Sequence, residues 1–119
     1  KGQNAYSMAN GYQMASQFIQ SGKEATAFLV ISDNAAFGVC KAIRDAGKSI
    51  PEDYSVASFD GLEMASYYNP TLTTMKQPRE KMAVEAMEIL LDLIDGYGQN
   101  QHRVFQAQLT EGESVRRID

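Results

Sequence analysis

Unbroken apolar runs alternate along this chain with helical stripes, and a polar group closes each run. Phe28-Leu-Val-Ile31 contains no polar residue, and Ser32-Asp33-Asn34 follows it where a helical pattern starts. A run of this kind predicts a strand buried on both faces, as in parallel sheets. The pattern recurs: Ser55-Val-Ala-Ser-Phe59 ends in Asp60-Gly61, and Leu72-Thr-Thr-Met-Lys76 ends in Gln77-Pro78.

Helices fill the intervals. Over Tyr6–Ser21, the residues Gly11, Met14, Ala15, Phe18 and Ile19 recur at three- and four-residue steps, and Gly22 is a plausible left-handed terminator. Asn34–Ala46 places Ala36, Val39, Cys40 and Ile43 on one side and stops at Gly47. Joined to strands Ala27–Ile31 and Ser55–Phe59, this helix makes a right-handed βαβ unit. Leu62–Tyr68 predicts a short helix with Met64, Tyr67 and Tyr68 crowded on one side, broken by Asn69-Pro70 before the strand Thr71–Lys76. Pro78 suits a first helical position. It opens the most regular helix, Arg79–Asp95, with Met82, Ala86, Ile89, Leu90 and Leu93 as its buried stripe. Gly96–Asn100 has linker chemistry. Val104–Leu109 alternates, which suggests a strand near an edge or with one wet face, and Thr110–Asp119 reads as a charged tail. The expected fold class is α/β: a three-layer, Rossmann-like parallel sheet.

Composition narrows the function. The 119 residues suffice for one domain with a real core, and 44% hydrophobic with 22% charged residues is ordinary for a soluble globular protein. No run approaches the roughly 20 apolar residues that span a bilayer, and the polar start does not resemble a signal peptide, so no membrane partner is expected. The start, Lys1-Gly-Gln-Asn4, also lacks an initiator methionine and reads as part of a longer protein. The lone Cys40 excludes an intramolecular disulfide and fits a reducing, cytoplasmic compartment. A net charge of −4 without a basic stripe gives this segment no attraction for phosphate backbones. His102 stands alone, so no metal, cofactor or Ser/His/Asp site is expected. No glycine-rich phosphate loop is present, and no enzyme activity is expected. A phospho-accepting, Mg²⁺-binding site at Asp33, Asp60 and Lys76 would want more carboxylates than the single acid that follows each strand.

What remains is a ligand cleft, since open α/β sheets bind ligands at the carboxyl ends of their strands. Asp60 could accept hydrogen bonds from two ligand hydroxyls at once, or serve as a turn aspartate before glycine. Ser32 and Asp33 divide between ligand contact and helix capping, with capping favoured for Asp33. Gln77 faces the same choice. Tyr6 could stack on a sugar or base, or simply pack.

Four motifs in matching order and spacing resemble the LacI/GalR transcriptional regulators: Phe28–Gly38, Ala42–Val56, Ser58-Phe-Asp60 and Pro70–Gln77. Gly11-Tyr12 adds the Gly-aromatic pair that follows the family's stacking aromatic. The resemblance implies the C-terminal portion of a periplasmic-binding-protein type I domain, whose two lobes close on a small effector, often a sugar, and so control operator DNA through a separate N-terminal head. It puts the stacking aromatic at Tyr6, a polar contact at Ser32 (where many members carry asparagine), the hydroxyl-binding aspartate at Asp60 and the crossover glutamine at Gln77. It puts homodimer contacts on the helix around Ala35–Ile43, with Ala36, Val39 and Cys40, and on Met64, Tyr67 and Tyr68. The head, the hinge, most of one lobe and an effector-holding arginine would precede Lys1. Helix Arg79–Asp95 would pack on that missing lobe, so the isolated chain is expected to expose its stripe and self-associate. A transporter's extracytoplasmic sugar-binding protein is the alternative that shares this fold.

Overall fold

The computed structural model describes residues 4–119. It divides into two compact units, one holding the chain up to Lys76 together with Leu109–Asp119, the other Gln77–Gln108. The first unit contains α1 (Met8–Gln20), β1 (Ala27–Leu29), α2 (Asp33–Asp45), β2 (Ser55–Asp60), α3 (Met64–Tyr67) and β3 (Thr73–Lys76). After α4 (Arg79–Ile94) in the second unit, β4 (Gln108–Thr110) completes a sheet of order β1-β2-β3-β4. β1 with β2 and β2 with β3 are parallel; Phe28 lies opposite Val56, and Ser58 opposite Thr74.

Two serines start the two long helices of the first unit. Ser7 and Ser32 are both extended, and their hydroxyls accept from the amides of Asn10 and Ala35, supplying partners that a helix start lacks. Val39, Cys40 and Ile43 of α2 meet Val56 of β2 in the core, and Phe28 joins them with its ring edge-on to Phe18. Each fully buried aliphatic of this kind contributes about 1.5–3 kcal/mol. The helices α1 and α2 touch backbone to backbone through a pair of glycines. A Cβ on Gly11 would collide with the Ala35 carbonyl, and one on Gly38 with the Met8 carbonyl. That approach sets the start of α1 beside the start of α2.

Three expectations change. Among the described residues β1 has only β2 beside it, and it is not buried on both faces. Phe28 and Val30 turn toward the core, whereas Leu29 is 86% exposed and Ile31 55%. The strand expected over Val104–Leu109 forms later, at Gln108–Thr110. The charged tail is anchored. Ser114 is fully buried; its hydroxyl donates to the Val56 carbonyl at 2.6 Å and accepts from the Thr73 amide at 2.8 Å, while its own carbonyl accepts from the Val56 amide. The returning chain therefore fills the place beside β2 that lies before β3 begins.

In the second unit, α4 has no buried residue. Its wet side carries a Lys81–Glu85 pair that Arg103 also approaches, with Lys81 over the Phe105 ring. Its apolar stripe is open, with Leu90 50% and Leu93 40% exposed, because one helix and a linker provide no second apolar layer.

Candidate functional site

The start of α2 gathers three of the sequence-predicted site residues. Ser32 is buried, and its hydroxyl is used twice within the chain: it accepts from the Ala35 amide at 3.2 Å and donates to the Tyr6 carbonyl at 3.3 Å. Ser32 is therefore a helix cap that also ties down Tyr6. The Tyr6 side chain stays 60% exposed on that anchored backbone.

Asp60 closes β2 and is the one non-glycine residue with positive φ, 140°, among the described residues. Such a conformation costs about 1–3 kcal/mol and persists only where its surroundings over-determine it. One of its carboxylate oxygens accepts from the Asp33 amide at 3.3 Å. The carboxylate thus sits at the start of α2, where the unpaired amides of a helix favour negative charge.

Beneath it lies Asp33, fully buried. One of its oxygens accepts from Ser58 Oγ at 2.5 Å and Thr74 Oγ1 at 2.7 Å; the other accepts from the Leu62 amide at 2.6 Å. A buried carboxylate is costly without such donors, and bonds to a charged acceptor are the stronger kind. Thr74 Oγ1 in turn accepts from the Gly61 amide at 3.2 Å. Gly61 has φ +69°, and a Cβ there would strike Lys76, so the turn needs glycine. The cap expected of Asp33 is made by Ser32; Asp33 is instead the hub between two strand ends and the turn. Ser58 and Thr74 were missed as part of this arrangement. Their signal was present: two hydroxyls inside strand runs, opposite each other in register.

Gln77 follows β3 directly and begins the second unit. The residue immediately before α4 is Pro78, whose side chain makes no cap.

The residues expected at a dimer contact separate. Ala36, Val39 and Cys40 are buried within the chain, where α2 packs on α1 and on its own sheet. Burial pushes the Cys40 thiol up to about 11, against a smaller lowering by Arg44. The Tyr68 ring packs against Phe37, centroids 4.9 Å apart and tilted by 41°, and its hydroxyl accepts a hydrogen bond from Arg44. Met64 and Tyr67 remain exposed. Among the described residues no cluster of metal-ligating side chains occurs, and no helix is long and apolar enough to cross a membrane.

A model of the periplasmic binding protein-like domain matches residues 2–115. The HTH-type transcriptional regulator MalR of Clostridium butyricum is 38% identical over 109 residues, covering 92% of this chain and 32% of that protein. The HTH-type transcriptional repressor MelR of Bacillus subtilis is 37% identical over 97 residues, covering 82% and 28%. The chain thus spans about a third of the length of these curated relatives. Among solved structures, a LacI family transcriptional regulator from Enterococcus faecium with bound ribose superposes with a TM-score of 0.87 at 30% identity, over 96% of this chain and 42% of that one. A dimeric Lac repressor with a C-terminal deletion gives 0.85 at 30% identity, over 92% and 40%. With a parallel α/β sheet, polar groups gathered at its strand ends and these likenesses, the chain belongs to the periplasmic binding protein-like domain family, on the branch that resembles the LacI-type transcriptional regulators.

Proposed function

We propose that this chain is part of the effector-binding domain of a LacI-type transcriptional regulator, and that its effector is a small sugar. Asp60 carries the reading. Its carboxylate stands at the carboxyl end of a parallel strand, in a backbone conformation that costs free energy and is held there by neighbouring hydrogen bonds. Strain of this kind collects at ligand clamps. In this reading Asp60 accepts from two sugar hydroxyls, Tyr6 stacks its exposed ring on the sugar face, Ser32 holds Tyr6 in place, and Gln77 contributes from the crossover after β3. The regulator relative with bound ribose supports a sugar as the class of effector.

The proposed mechanism is a population shift. A sugar that binds one arrangement of the whole regulator better than another moves the equilibrium by that difference in affinity. Operator DNA is then contacted by a head outside this chain, in a homodimer to which Met64 and Tyr67 contribute, and the protein works in the cytoplasm. The relatives at 38% and 37% identity are named transcriptional regulators, which favours this reading over a transporter's binding protein.

Calorimetry of the full-length protein against a panel of sugars tests it. Asp60→Ala is expected to weaken binding by about tenfold or more, the scale of a lost charge-assisted hydrogen bond. Unchanged affinity in that variant would remove Asp60 from the site.

A further inference from the structure

We propose that Asp33 is the positioning residue of this site: its buried carboxylate holds the Asp60-Gly61-Leu62 turn in the form that presents Asp60 to a ligand. The proposal rests on the effector reading only for what the turn presents; the hold itself is a property of this chain.

Asp33 is fully buried, so it touches no ligand. It grips the turn from both ends. Its side chain accepts from the Leu62 amide, and its backbone amide donates to the Asp60 carboxylate. The middle of the turn is held indirectly, because Thr74 Oγ1 donates to Asp33 and accepts from the Gly61 amide. Ser58 donates to the same Asp33 oxygen from the neighbouring strand. The last residue of β2 and the two that follow it are therefore tied to Asp33: Leu62 directly through the carboxylate, Gly61 through Thr74, and Asp60 through the Asp33 amide. Asp60 has φ 140°, a conformation that relaxes once its constraints are removed. Valine at position 74 would fill nearly the same space as threonine but would break both Oγ1 bonds, which separates hydrogen bonding from packing.

The test compares Thr74→Val, Thr74→Ser and Asp33→Asn in the full-length protein by amide hydrogen exchange and by sugar calorimetry. Thr74→Val and Asp33→Asn are expected to speed exchange at Gly61 and Leu62 by about tenfold, as when a bond to a charged group is lost. Exchange at the Val56 amide, bonded to Ser114 deeper in the sheet, should stay as in the parent. Sugar affinity should fall by about tenfold in the same two variants. Thr74→Ser, which keeps the hydroxyl, should restore both readouts. Equal losses in Thr74→Ser and Thr74→Val would show a packing role and overturn the proposal, as would unchanged exchange at Gly61 and Leu62. If Asp33→Asn does not fold, the two position-74 variants decide alone. If the parent binds none of the sugars, the effector reading fails. In that event faster exchange at the turn still upholds Asp33's hold, and unchanged exchange overturns it.

Discussion

The Asp33 amide, at the first residue of α2, donates to the carboxylate of Asp60, the last residue of β2, across 27 positions of sequence. The bond joins a helix start to a strand end and fixes which way an acidic side chain points. Since Asp60 is held at positive φ, its geometry and its energy are coupled, and substitutions there should separate them.

Asp60→Gly and Asp60→Ala both remove the carboxylate, but only glycine relieves the backbone. Asp60→Gly should be the more stable of the two by about 1 kcal/mol, read from urea denaturation midpoints, and both should lose sugar binding. Equal midpoints would show that the conformation at residue 60 carries no strain.

Ser32→Ala removes the cap of α2 and the tie to Tyr6 together. A lost serine cap costs about 1 kcal/mol. The denaturation midpoint should fall accordingly, and sugar affinity should fall with it as Tyr6 loosens. A variant with parental stability would mean that the Ser32 hydroxyl does not cap the helix.

Cys40 should resist alkylation in the folded protein at pH 8 and react once the protein is denatured, because it is buried and its thiol is raised by that burial. The sign of the pH effect follows. Folding favours the neutral thiol, so its contribution to stability is complete below the ordinary value of 9.0 and is lost as pH rises toward about 11. Rapid alkylation of the native protein would contradict the core placement.

Ser114→Ala should destabilise by about 1–3 kcal/mol, since it leaves the buried Thr73 amide and Val56 carbonyl each short of one partner. Thermal unfolding of the variant measures this. A loss no larger than that of an exposed serine would show that the tail is dispensable.

The 119-residue chain studied alone should self-associate through the open stripe of α4, and Leu90→Lys with Leu93→Lys should reduce that. Light scattering reads the outcome; a monodisperse parent would contradict it.

Much of the fold was legible in the residues themselves. Apolar runs bounded by polar punctuation marked β1, β2 and β3, and three- and four-residue spacing marked α1, α2 and α4, because period and burial are local properties of a chain. The cluster of polar groups at the strand ends was visible for the same reason. Tertiary structure decided the division of labour within that cluster. Ser32 and Asp33 are adjacent and both suit a helix start; which one caps and which becomes a buried hub depends on Ser58 and Thr74 arriving from other strands. Tertiary structure also decided that the apolar side of α2 belongs to its own sheet, so that Ala36, Val39 and Cys40 fill the core. The tail was illegible because its anchors are polar and distant: the Ser114 hydroxyl meets partners 41 and 58 positions away, and the Arg116 amide donates to the Ser55 hydroxyl, 61 positions away. A hydroxyl carries no periodic signal, and its place is set only when the strands around it have already assembled.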